Sequence, residues 1–143
     1  MKLISDASVL ISALLGSEIT KELLLSKSLE LYAPEYLLEE IDEHKEEISI
    51  LSNLSLEERN KLFEELKSKI TFVSKEQFAI FLTKANELIS DKDDTEYLAL
   101  SLAIKNMPIW SNDLHFKEQL IVEIFTTSEL IKHLKSETKK SEE

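Results

Sequence analysis

Three acids, Asp91, Asp93 and Asp94, stand directly before the apolar run Tyr97-Leu-Ala-Leu-Ser-Leu-Ala-Ile104. A further acid, Asp113, follows the short segment Pro108-Ile-Trp-Ser111, and Asp6 closes the segment Lys2-Leu-Ile-Ser5. Carboxylates pressed against apolar sequence are costly unless something binds them. Several that converge on one crevice could not all stay ionised without a counter-charge. Ligand sets made only of oxygen favour hard cations, Mg²⁺ or Mn²⁺. Such an ion can activate water and stabilise a phosphoryl transition state, so the expected chemistry is phosphodiester hydrolysis.

Each acid also has a purely structural explanation. Asp6 could cap the helix that follows it. Capping likewise explains one acid near Asp94, but not three. Asp91 shares a face with Asp94 if the helix starts early, whereas Asp93 then points towards solvent. Asp113, in Trp-Ser-Asn-Asp, suits a turn. The expected helix 35–47 carries seven acids, most of them a solvated face. Glu40 differs in lying beside Ile41 at the margin of the apolar stripe, and Glu39 lies further from it. Among the histidines, His44 falls on the inner stripe as a packing residue, His115 stands near Asp113 within reach of a substrate, and His133 is expected at the surface.

The elements that would position these acids alternate. Lys2–Ser5, Leu29–Tyr32, Ile70–Val73, Pro108–Ser111 and Glu123–Thr126 read as strands. Helical patterns run over 7–15, stopped near Gly16, and over 17–25, where Ser17 is the cap. Pro34 suits the first turn of the helix over 35–47, with Leu37, Ile41, His44 and Ile48 on its inner face. Capping-box patterns at Ser55–Glu58 and Ser74–Gln77 open two more, the second running to about Ile89. Asp93 or Asp94 begins another through about Lys105, and Ser128 caps the last. Alternation of this kind predicts an α/β fold around a mainly parallel sheet. Ligands in such sheets bind beyond the C-terminal strand ends, which brings Asp6 and Asp113 to the same edge.

Composition narrows the function further. The 143 residues carry 28 acids and 17 bases, a net charge of −11, and no cysteine. Thiol chemistry and cysteine-ligated zinc are excluded, and a cytoplasmic location is expected. The single glycine, Gly16, rules out a glycine-rich phosphate loop. No window approaches the ~20 apolar residues of a membrane span. Acidity with one arginine, Arg59, argues against a module that grips nucleic acid through many phosphate contacts, and leaves room for contact through a cation. Residues 1–135 read as one domain and 136–143 as a charged, frayed tail.

The segments ISDASVLISALL, YAPEYLLEEI, DKDDTEYLALSLA and PIWSNDLHF, in this order, resemble the PIN domain family of Mg²⁺/Mn²⁺-dependent ribonucleases. The likeness spans residues 2–126 and is greatest for small prokaryotic members, which include the toxins of toxin–antitoxin pairs. It implies a three-layer α/β/α sandwich and cleavage of single-stranded RNA. It also implies catalytic and metal-ligating roles for Asp6, Glu40, Asp94 and Asp113, with Glu39 the competitor of Glu40. Asp91 is an additional candidate ligand, and Ser8, Ser111 and Asn112 would orient ligands or the scissile phosphate. An antitoxin and a second copy of the chain are the protein partners the resemblance implies. A catalytically silent or regulatory module on the same fold, acting through protein partners, is the alternative. A phosphate-accepting aspartate paired with Lys105 is a third.

Overall fold

The computed structural model describes residues 1–142. Five strands form one sheet: β1 (Lys2–Ser5), β2 (Glu30–Pro34), β3 (Ile70–Val73), β4 (Ile109–Trp110) and β5 (Ile124–Phe125). Their order is β3-β2-β1-β4-β5, and every pairing is parallel. Eight helices cover the sheet to give the three-layer α/β/α fold: α1 (Ala7–Leu14), α2 (Glu18–Leu24), α3 (Tyr36–Glu43), α4 (Lys45–Leu51), α5 (Leu56–Ser68), α6 (Leu82–Leu88), α7 (Thr95–Ala103) and α8 (Thr127–Glu142). Helix α1 packs on α2, α3 and α5, while α7 lies against β2 and β4 and carries α6.

Strand β1 is central, so both its faces are covered. Leu3, Ile4 and Ser5 are all fully buried, as expected for a strand inside a parallel sheet. Helix α7 is buried nearly all round through Tyr97, Leu98, Ala99 and Leu100, in keeping with its lack of a polar face. Helix α1 ends where Gly16 takes φ +114°. Gly16 N donates to Ala13 O at 3.1 Å and Ser17 N to Ser12 O at 3.1 Å, which closes the last turn with glycine at the left-handed position. Ser17 then caps α2 by accepting from Thr20 N.

The helices differ from the sequence expectation in several places. The single helix over 35–47 is two, because α3 stops at His44 and α4 restarts at Lys45. A continuous helix would align like charges four apart across the break, at Asp42–Glu46 and Glu43–Glu47, which is unfavourable. The helix over 75–89 is two 3₁₀ turns, Lys75–Gln77 and Ala79–Phe81, followed by α6. Phe78, between the turns, is fully buried at φ −129°, so core packing overrides the helical pattern, and Ser74 makes no side-chain cap. Helix α7 ends at Ala103, and Lys105 adopts a left-handed φ of 56°. At α8 the reciprocal cap belongs to Thr126 and Glu129, not Ser128. This last helix runs through residues assigned above to the charged tail, as far as Glu142.

Candidate active site

The strand order places a topological switch between β1 and β4, since the chain leaves β1 for one side of the sheet and returns on the other. Asp6 follows β1 and Ser111 follows β4. Asp6 N donates to Trp110 O at 3.3 Å, which continues the ladder into this edge. Asp6 is 4% exposed. Its Oδ1 accepts from Ser8 Oγ at 2.6 Å and Val9 N at 3.3 Å, and its Oδ2 accepts from Ser111 Oγ. It is therefore the cap of α1 and a member of the site at once. Burial lifts its pKa to about 6, against the pull of the Ser111, Ser8 and Val9 hydrogen bonds.

Glu40 reaches inward from α3 and accepts from the buried Tyr97 hydroxyl. Burial raises its pKa to about 7, opposed by Tyr97 and reinforced by Asp6. Glu39 is exposed and does not line the pocket. Asp94 lies immediately before α7 and is 6% exposed. Its Oδ2 is fully buried without a hydrogen-bond partner among the described residues. Burial first, then Asp113, Asp91, Asp6 and Glu40, drive its pKa to about 8. The 3₁₀ turn Lys92–Asp94 in front of α7 is capped by Asp91, whose Oδ1 accepts from Asp93 N at 2.9 Å. Asp113 N donates to Ser111 Oγ at 3.0 Å, so one hydroxyl ties the β4 loop to Asp6.

Asp6, Ser8, Glu40, Asp91, Asp94 and Asp113 thus line one cavity of about 170 Å³, together with Asp93, His44 and Tyr97. Asn112 does not join them. Its Oδ1 accepts from Thr127 N at 2.9 Å and serves the start of α8. Asp93 is exposed but not merely solvated, for it accepts from Tyr36 Oη at 2.8 Å. His44, expected as core packing, is half-buried at the pocket wall with Nδ1 2.8 Å from Glu40 O. A carbonyl can only accept, so Nδ1 carries the proton. His133 tilts against the Phe125 ring at 5.1 Å and is only partly exposed. Lys105 precedes β4 and lies at the opposite end of the sheet, which removes it as a partner for Asp6. Sequence reasoning missed Tyr97 as a site residue, although a phenol inside an otherwise apolar helix must find a polar partner.

The donor set is suited to a divalent cation. A buried carboxylate oxygen with nothing to accept from, surrounded by further carboxylates, is an arrangement that positive charge relieves. Carboxylate oxygens of Asp91, Asp94 and Asp113 and a ring nitrogen of His115 all lie within 4.8 Å of one another.

A profile of the PIN domain family matches residues 4–139. The chain belongs to the PIN domain family. Among curated proteins no sequence matches it. Among solved structures, this PIN domain is similar to the crystal structure of VapBC2 from Rickettsia felis bound to a DNA fragment from their promoter. The superposition has a TM-score of 0.62 at 14% identity and covers 88% of this chain and 98% of that one. At that identity the likeness is one of fold. Among the described residues no helix is long and apolar enough to cross a membrane.

Proposed function

We propose that this PIN domain is a divalent-metal-dependent endoribonuclease that hydrolyses phosphodiester bonds of single-stranded RNA. One observation carries the reading: acids from four separated segments share a small cavity in which the buried Asp94 Oδ2 has no partner. Asp6, Glu40, Asp94 and Asp113 would hold Mg²⁺ or Mn²⁺. Such an ion, when bound, supplies the charge that makes a ligated water nucleophilic near neutral pH and balances the phosphate. Ser8 and Ser111 hold the Asp6 carboxylate from both oxygens, and Tyr97 holds Glu40. These bonds fix the acids before substrate arrives, which is how outer partners tune a metal site. Lys75 and Lys92 line an adjacent cleft of about 510 Å³ with Asn86 and Thr95, which suits a phosphate backbone entering from that side.

A toxin role within a toxin–antitoxin pair, with a cytoplasmic site of action, belongs to the same proposal. What supports it is the PIN membership and the likeness to VapBC2. The test is cleavage of a labelled single-stranded RNA by the purified chain in Mg²⁺ or Mn²⁺, with and without a chelator. Cleavage is expected to require the metal and to vanish in Asp6→Asn and Asp94→Asn while both remain folded. Undiminished metal-dependent cleavage by both variants would overturn the assignment. Intact metal binding with no cleavage would instead favour a silent module that works through protein partners.

A further inference from the structure

His115 groups with Asp91, Asp94 and Asp113 as their nitrogen donor, and the role just proposed makes no use of it. The ring is exposed at 65%. Its Nδ1 lies 3.2 Å from Asp113 Oδ1 and 3.7 Å from Asp91 Oδ2. Ligands that each sit ~2.0–2.2 Å from a common ion are roughly 3 Å apart when adjacent and about 4 Å apart when opposite. Both distances fall in that interval, and the full set with Asp94 lies within 4.8 Å. Asp94, whose Oδ2 is buried and without a hydrogen-bond partner among the described residues, belongs to the same cluster.

We propose that Asp91, Asp94, Asp113 and His115 form a mixed oxygen–nitrogen cation seat at the pocket rim, and that His115 makes it prefer Mn²⁺ to Mg²⁺. The inference rests on the metal-dependent reading above and deepens it. Imidazole suits first-row transition ions, whereas Mg²⁺ binds through carboxylates and keeps its waters. An oxygen-only set would discriminate little between the two. Asp91 contributes from the turn before α7 and His115 from the 3₁₀ helix Leu114–Glu118 after β4, so the seat spans two segments that no strand pairing joins. An ion there would couple them.

The discriminating experiment measures Mn²⁺ and Mg²⁺ binding to the full chain by calorimetry, for the wild type, His115→Ala and Asp94→Asn. Broadening of the His115 ring protons by substoichiometric Mn²⁺ is read by NMR in parallel. His115→Ala is expected to weaken Mn²⁺ about tenfold or more and Mg²⁺ less than about twofold. The ring protons of the wild type should broaden. Equal losses for both ions would mean that His115 only orients Asp113, and would overturn the nitrogen ligand. An unchanged Mn²⁺ affinity in His115→Ala, with binding still lost in Asp94→Asn, would overturn this seat and leave the nuclease reading standing. Uptake of neither ion by the wild type would overturn both.

Discussion

At the scale of single residues, burial and mutual repulsion favour the protonated form of the clustered acids of this PIN domain. Asp6, Glu40 and Asp94 are raised to about 6, 7 and 8 from ordinary values near 4. A carboxyl group raised on folding imposes no penalty below its unfolded pKa and a growing one as pH rises towards its folded pKa. The metal-free protein should therefore lose stability between roughly pH 4 and pH 8, which thermal melts in chelator would reveal. Asp94→Asn removes the largest of these penalties, so its metal-free form should melt about 2–8 °C higher at pH 8. The same variant should lose all further stabilisation by Mg²⁺ or Mn²⁺. A lower melting temperature in chelator would contradict the burial argument. Tyr97→Phe keeps the packed ring and its edge contacts with Tyr36 and Phe116. It deletes the hydroxyl that holds Glu40, and cleavage should fall about 10- to 100-fold, as single-turnover kinetics would report.

Elements set how close the acids can come. Ser111 at the end of β4 donates to Asp6 beyond β1 and accepts from Asp113 N. That single hydroxyl locks the two sides of the switch. Ser55, by contrast, closes a capping box with Glu58 at the exposed start of α5. Ser55→Ala should cost about 1 kcal/mol, and Ser111→Ala about 1–3 kcal/mol because buried partners are left unpaired. Urea denaturation would measure both. Only Ser111→Ala should also weaken metal binding in calorimetry. Equal metal affinity in the two variants would show that β4 positions Asp113 without this bond.

For the whole molecule, charge and apolar surface matter most. With a net charge of −11, long-range attraction would not gather the proposed RNA substrate, so on that reading productive contact would depend on local lysines and a bound cation. Lys75→Ala with Lys92→Ala should raise KM several-fold with kcat nearly unchanged, since these side chains line the cleft beside the acids and not the acid pocket itself. Steady-state kinetics at fixed salt would decide it. A fall in kcat alone would place the lysines at the chemistry instead.

Much of this was legible in the chain before folding. The alternation of strands and helices, the acids at the ends of β1 and β4 and the buried character of α7 follow from short-range pattern. Burial of an apolar run and the preferences of caps are local properties. The edge of the stripe favoured Glu40 without excluding Glu39, and only the fold turns Glu40 into the pocket and leaves Glu39 exposed. The broken helices around His44 and Phe78, the wall role of His44 and the diversion of Asn112 to α8 were not. Each depends on which distant group arrives opposite. Sequence by itself determined that acids would gather at one edge of a parallel sheet, because strand direction dictates where each strand ends. Tertiary structure alone decided which oxygens are paired and which one, on Asp94, is left without a partner, because desolvation and hydrogen bonding are set by neighbours from remote segments.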